Sequence, residues 1–491
     1  GSRFMHYAAF GKTVLRVWAV SSLFFVAACT VNPATGDKQF TALMSPQQEK
    51  AIGAEQHAKI IEQYGGVYQD PALQNYVNEI GQKLAKNTER PDVSYKFTLL
   101  DSPVINAFAL PGGYIYVTRG LLAVANDEAE LAAVLGHEIG HVTGRHQAER
   151  YSQGLLTALG ATVVSAAVGD PNVTEALSLG NNLYMSSYSR DQESQADQLG
   201  VRYISRAGYD PFAVSDFLKS MEGYLSTEAR VEGKEDKEFS YFSSHPDTAE
   251  RVGRASSEAT RYSPSSSRGA ESYLSALRGM TYGDGEDQGF VSGRKFVHPK
   301  LGFAFSVPEG YEIINQPDQV VASGQSGELI VLDMASKTAG LDPVAYISRQ
   351  WLEGGKGAPP EPLTINGMEA ATTSFPASLN GEEVTIRLVA INWGPKSVFR
   401  FQFAIPQGVS GGVVEDMKRT TYSFRRLSGE ERNQVKARRI DLVTAKAGDR
   451  VEDLAARMSV DKAPLLMFRA LNGLGPRDSL QVGRKYKIIS G

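Results

Sequence analysis

Residues 131–146, LAAVLGHEIGHVTGRH, carry the reading on which the fold and the chemistry of this 491-residue chain turn. His137 and His141 stand four apart, so on a helix they project from one face a turn apart and can grip one ion together. Glu138 lies between them. A zinc ion held by neutral imidazoles leaves a position for water and lowers the pKa of that water to about 7, so the adjacent carboxylate can take its proton. The flanking residues suit a buried helix. Asp127 with Glu130 makes a capping-box-like start, and Leu131, Val134, Leu135 and Val142 supply an apolar stripe. Gly136 and Gly140 each cost a helix interior roughly 1 kcal/mol relative to alanine, which points to close approach of another element.

A third protein ligand is needed. The metzincin pattern HExxHxxGxxH would place a histidine at 147, where this chain has Gln147. His146 falls one residue short and reads as a neighbour of the site or a surface residue. The other arrangement takes a glutamate from a later helix. Residues 188–200, YSRDQESQADQLG, offer Glu193, with Asp197 one turn further along the same face and Arg190 one turn before. A glutamate completing the site and an aspartate orienting a ligand histidine would meet both needs together. In isolation the same residues would be an ordinary charged helix face.

Working outward, the chain reads as multidomain. Residues 45–261 are mainly helical, as in AIGAEQHAKIIEQY (51–64) and ALQNYVNEIGQKLAKN (72–87), with one strand-like piece, GGYIYVTRG (112–120). A Ser-rich linker occupies 262–284. Residues 285–427 alternate strand-like and helical runs and read as an α+β module without a His/Glu/Cys cluster, in which His298 beside Pro299 reads as a turn residue. Residues 440–490 read strand, helix, helix, strand. With 42% hydrophobic and 22% charged residues the composition is globular, and a net charge of -4 without a basic tract argues against nucleic acid as a partner. One cysteine, Cys29, excludes an internal disulfide framework.

Cys29 closes a leader. Lys12 and Arg16 precede twelve uncharged residues from Val17 to Ala28, the length of a signal-peptide core and too short to span a membrane. Val26-Ala27-Ala28-Cys29 resembles a bacterial lipobox, which makes 1–29 a signal peptide, Cys29 the lipidated residue and 30–44 a tether. Thr30, in place of aspartate, favours the outer membrane, facing the periplasm. The apolar run GLLTALGATVVSAAVGD (154–170) could pack beside the metal site as a plug.

The segments NAFALPGGYIYVTRGLL, HEIGH, SRDQESQAD and SSHPDTAER, in this order, resemble the gluzincin metalloproteases of the CAAX-prenyl-protease and bacterial heat-shock membrane protease type, a group that includes periplasmic quality-control proteases. The resemblance implies a mainly α zincin-type domain with a small edge-strand sheet. It implies one Zn2+ per chain on His137, His141 and Glu193, Glu138 as general base, and Asp197, Arg190 and Arg251 around the ligands. It implies that Tyr114, Ile115, Tyr116 and Val117 pair with an extended substrate by strand addition. His245 matches a position where a histidine approaches the metal, either assisting the reaction or filling the open site in a latent form. Residues 440–490 resemble a lysin-motif (LysM) βααβ module, which implies contact with peptidoglycan. The function expected is a lipid-anchored endopeptidase that degrades misassembled envelope proteins. The alternatives are a chaperone with a latent metal site and a cell-wall peptide hydrolase.

Overall fold

The structure, a computed structural model, describes residues 29–156, 187–233, 241–246, 248–355, 357–409 and 411–491. Leader residues 1–28, and residues 157–170 of the apolar run read as a plug, lie outside the described residues. Among the described residues no helix is long and apolar enough to cross a membrane. The chain divides into two compact units. One holds the described residues up to Ile61 together with Gly66–Met280 and Arg439–Ser490; the other holds Thr281–Arg438.

In the first unit, exposed Cys29 begins β1 (Cys29–Val31), which pairs with β2 (Lys38–Phe40). Helices α1 (Pro46–Gln63) and α2 (Pro71–Ala85) follow; Asp70 caps α2 by accepting from the Leu73 N–H, and Pro71 suits its first position. Strands β3 (Lys96–Leu100), β4 (Ala107–Leu110) and β5 (Tyr114–Thr118) form a sheet in the order β3-β5-β4, with β5 parallel to β3 and antiparallel to β4.

This order corrects the expectation that Tyr114, Ile115, Tyr116 and Val117 pair with a substrate. They lie on the middle strand, whose backbone faces a neighbour on each side, so no further strand can add there. The outer side of β3 is closed as well. The Gln74 side chain donates to the Phe97 carbonyl and accepts from the Leu99 N–H, and the Tyr68 N–H takes the Leu99 carbonyl. Among the described residues the outer side of β4 has no neighbouring strand.

Beyond α3 (Arg119–Val124) comes the metal helix, α4 (Glu128–Thr143), buried at every position from Ala129 to Thr143. Asp127 accepts from the Glu130 N–H at 2.8 Å, and the Glu130 carboxylate reaches back to the Asn126 N–H at 2.6 Å. The reciprocal cap read from the residues is thus present, with its return bond one residue further out. α5 (Arg190–Arg206) crosses α4 where both helices carry glycine. A Cβ on Gly140 would lie 3.0 Å from the Ala196 carbonyl oxygen, and one on Gly200 would lie 3.2 Å from the His137 nitrogen. That close approach brings the carboxylates of α5 to the histidines of α4. α6 (Ala213–Glu232), α7 (Tyr241–Ser244), α8 (Thr248–Ala259) and α9 (Ala270–Leu277) complete the helical set. α9 falls inside the stretch expected to be a linker. Its Tyr273 is fully buried with the hydroxyl on the Leu122 carbonyl, and nearby Arg268 pairs with Asp127, Asp210 and Asp216.

The C-terminal segment has the expected order, β6 (Arg438–Thr444), α10 (Val451–Ala455), α11 (Pro464–Leu471) and β7 (Lys485–Ser490), with β6 and β7 antiparallel. Its residues from Arg439 group with the metal helix. Fully buried Lys487 donates from Nζ to the carbonyls of Ala123 at 2.7 Å and Ala125 at 2.8 Å, at the end of α3. A helix end leaves such carbonyls without partners, and the Lys487 amine donates to them although burial lowers its pKa to about 7. Lys487→Met is expected to cost about 2 kcal/mol, the loss of these hydrogen bonds offset by the easier burial of an apolar side chain. Calorimetry would register this as a lower unfolding midpoint; an unchanged midpoint would mean that other contacts hold the segment.

The second unit is built on antiparallel β-sheet. Its seven-stranded sheet runs in the order Glu312–Asn315, Gln319–Ser323, Leu329–Ser336, Ser397–Pro406, Glu382–Gly394, Met368–Leu379, Glu361–Ile365. Phe296, Phe303, Phe305, Phe399, Phe401, Phe403 and Phe424 dominate its core. His298 ends a strand, with Nε2 on the Asp287 carbonyl and Nδ1 accepting from the Leu301 N–H, so both nitrogens are engaged in holding a loop.

Candidate metal centre

Among the described residues one group of metal-ligating side chains converges: His137 and His141 from α4, Glu193 from α5, and His245 just after α7. Each offers one ligand atom, and these atoms all lie within 4.8 Å of one another, in side chains that are fully or almost fully buried.

The hydrogen bonds behind the ligands fix which nitrogen faces inward. His137 Nδ1 lies 2.8 Å from Asp197 Oδ1, so the assigned tautomer places its proton there and leaves the Nε2 lone pair pointing into the site. His141 Nδ1 lies 2.9 Å from His146 Nδ1, whose Nε2 in turn is 2.9 Å from Gln195 Oε1. A chain of N–H donors running from His146 to Gln195 and from His141 to His146 again leaves Nε2 of His141 bare. The two Nε2 atoms then face each other at 3.0 Å, with Glu193 oxygens 3.4 Å from His137 and 3.3 Å from His141. Two lone pairs and a carboxylate converging in a buried space repel unless a cation joins them. Among the described residues, Glu193 Oε2 and both oxygens of Glu138 also have no hydrogen-bond partner, which a purely structural cluster would leave unexplained. The donor set of imidazole and carboxylate fits zinc.

The electrostatics agree. Burial works against the charged form of His137, yet the carboxylates of Glu193 and Asp197 outweigh it and raise its pKa to about 9, so the site favours a positive charge, proton or metal ion, at its inward nitrogen. Burial alone would raise Glu193, but the positive potential of His245 and His137 holds its carboxyl well below the usual range. Burial lowers His141 strongly and brings His146 down to about 4, so both stay neutral, as a ligand and its supporting imidazole must. Burial also pushes the Glu138 carboxyl up, the direction a general base needs.

Arg251 of α8 ties the groups together. Its guanidinium is fully buried and donates from Nε and Nη2 to the two oxygens of Asp197, at 2.8 and 2.9 Å, and from Nη1 to the His245 carbonyl at 3.1 Å. Arg190, by contrast, is exposed at the first turn of α5 and is not part of this cluster. His245 places Nδ1 2.8 Å from Glu193 Oε1 and 3.3 Å from His137 Nε2, inside the ring of ligand atoms, with Nε2 3.4 Å from Glu138.

Two aromatic residues that the sequence reading passed over shape this ring. Tyr188 stacks on His141 with centroids 3.6 Å apart, under the Arg150 guanidinium at 3.8 Å. Tyr241 stacks on His245 at 4.4 Å. Tyr188 directly precedes the Ser189 cap of α5, a position where an apolar residue commonly packs back on its helix, and that was the available signal.

Residues 71–259 match the model for peptidase family M48. The chain is 29% identical over 245 residues to the beta-barrel assembly-enhancing protease of Yersinia pestis, covering 48% of this chain and 49% of that protein. It thus spans about half the length of that relative. The mitochondrial metalloendopeptidase OMA1 of Schizosaccharomyces pombe is 28% identical over 42% of this chain and 59% of its own length. The metalloprotease LoiP of Escherichia coli is 30% identical over 192 residues, 37% of this chain and 70% of that protein. With its paired histidines, later glutamate and this extent of likeness together, the chain belongs to peptidase family M48.

Proposed function

We propose that this protein is a zinc-dependent endopeptidase acting on misassembled envelope proteins, with His137, His141 and Glu193 holding one zinc ion and Glu138 as the general base. The observation that carries the reading is the buried convergence of two histidine Nε2 atoms and a carboxylate beside Glu138, whose oxygens have no hydrogen-bond partner among the described residues. When bound, zinc would supply Lewis acidity toward the scissile carbonyl and acidify water to a pKa of about 7. Glu138 removes a proton from the attacking water and returns it to the leaving nitrogen. Asp197, gripped by Arg251, keeps His137 in the tautomer that ligates. The substrate chain lies along the outer side of β4. The envelope as workplace rests on the similarity to the beta-barrel assembly-enhancing proteases and LoiP; outer-membrane lipidation at Cys29, which is exposed, and glycan contact by 440–490 belong to the same proposal.

His245 supports a latent resting form. With its imidazole, four protein donors would hold the ion, the number found in closed zinc sites. A non-catalytic chaperone role draws on the same closure. His245→Ala separates the two: an endopeptidase should cleave casein faster, by a factor on the order of ten if closure is worth a little over 1 kcal/mol. A binding protein would show no cleavage with or without His245.

A further inference from the structure

The outer side of β4 is taken. Thr118 donates its N–H to the Asn106 carbonyl, so in the antiparallel alternation Asn106, Phe108 and Leu110 bond toward β5 while Ile105, Ala107 and Ala109 face outward. The Tyr241 N–H donates to the Ile105 carbonyl at 3.0 Å, at the start of the short helix that leads to His245. The Gln147 side-chain amide donates to the Ala109 carbonyl. Gln147 is buried and is also hydrogen-bonded to Tyr188, the ring stacked on His141, which anchors it to the metal helix. These are the carbonyls that an added strand would pair with.

Resting on the endopeptidase reading above, we propose that Gln147 caps the binding edge, so that its amide and the backbone N–H of an extended peptide compete for the Ala109 carbonyl. A glutamine suits this task because its primary amide mimics a peptide N–H, and an exchange of one hydrogen bond for a like one costs little once the entering chain is aligned. The displaced side chain has somewhere to go. A cavity of about 430 Å³ borders it, lined also by Val142, Glu49, Lys50 and Tyr114, where polar groups can receive the amide. Gln147 is therefore a positioning residue that sets peptide affinity and leaves the chemical step alone.

The test measures binding without turnover. In zinc-loaded, full-length protein carrying Glu138→Gln and His245→Ala, a fluorescein-labelled peptide of β-branched residues is titrated by anisotropy. Adding Gln147→Met, which keeps the volume but has no donor, should lower Kd about threefold to tenfold, the worth of one hydrogen bond. Gln147→Ala should do the same, and the methionine variant decides if the alanine variant fails to fold. A small hydroxamate that reaches the metal but not β4 should bind equally to all forms. An unchanged or raised peptide Kd in Gln147→Met, with zinc content and circular dichroism intact, overturns the proposal, as does equal tightening of the hydroxamate. The endopeptidase reading fails on a different result, absence of cleavage by His245→Ala.

Discussion

Glu138→Gln is expected to lower kcat on casein by about a thousandfold while zinc content, KM and the unfolding midpoint stay the same or the midpoint rises slightly. The magnitude follows from the general base, whose contribution is typically about a hundredfold to ten-thousandfold. That zinc should stay follows from the ligand set, since Glu138 is not among the converging donor atoms. The expected stability follows from burial. Both Glu138 oxygens are shut away from solvent with no hydrogen-bond partner among the described residues, and a neutral amide of the same shape costs less to bury than an ionised carboxylate. A simultaneous fall in kcat and midpoint would assign Glu138 a structural role.

Arg251→Met is expected to have the largest effect on stability, about 3–5 kcal/mol, with zinc affinity weakened about tenfold to a hundredfold. Arg251 answers two buried carboxylates: it is bidentate to Asp197 and lies 3.2 Å from Glu193. Removing the cation strands Asp197 in a site with no solvent, so its proton affinity rises and it loses its grip on Nδ1 of His137. The tautomer of His137 is then no longer fixed, and the lone pair facing the metal is shared with a proton. Burial raises the Asp197 pKa and Arg251 more than reverses this, so the folded value lies below the ordinary one. The stabilisation from Asp197 is therefore complete above the unfolded pKa of about 4 and disappears as pH falls through the folded value. Thermal unfolding of the two proteins near neutral pH, with zinc competition against a chelator, measures both effects. Equal midpoints would contradict this account of Arg251.

The metal centre was largely legible because its parts obey helical spacing. Two histidines four apart and a glutamate with an aspartate four further on each fall on one face of a helix, whatever packs around them, and the glycines at 136 and 140 announced the close crossing that joins α4 to α5. What was not legible depends on tertiary order. Alternation in residues 112–120 says strand but cannot say whether that strand is central or at an edge, so Tyr114 to Val117 were read as an edge although they lie on the middle strand. Gln147 was noticed only as the residue that breaks a pattern, because a single amide has no period. Tyr188 offered only its place before the Ser189 cap, and nothing local brings Tyr241 of α7 to His245. Nothing local marks Lys487 among the lysines of its strand, and only its packing under α3 shows it as a helix cap.

The most direct test of the central claim sets His245→Ala beside His245→Ala/Glu138→Gln, each at full length, with zinc per chain and casein cleavage determined on the same samples. The account predicts zinc near one per chain in both and cleavage only where Glu138 is present. Zinc in both with cleavage in neither, or equal cleavage in both, would contradict it.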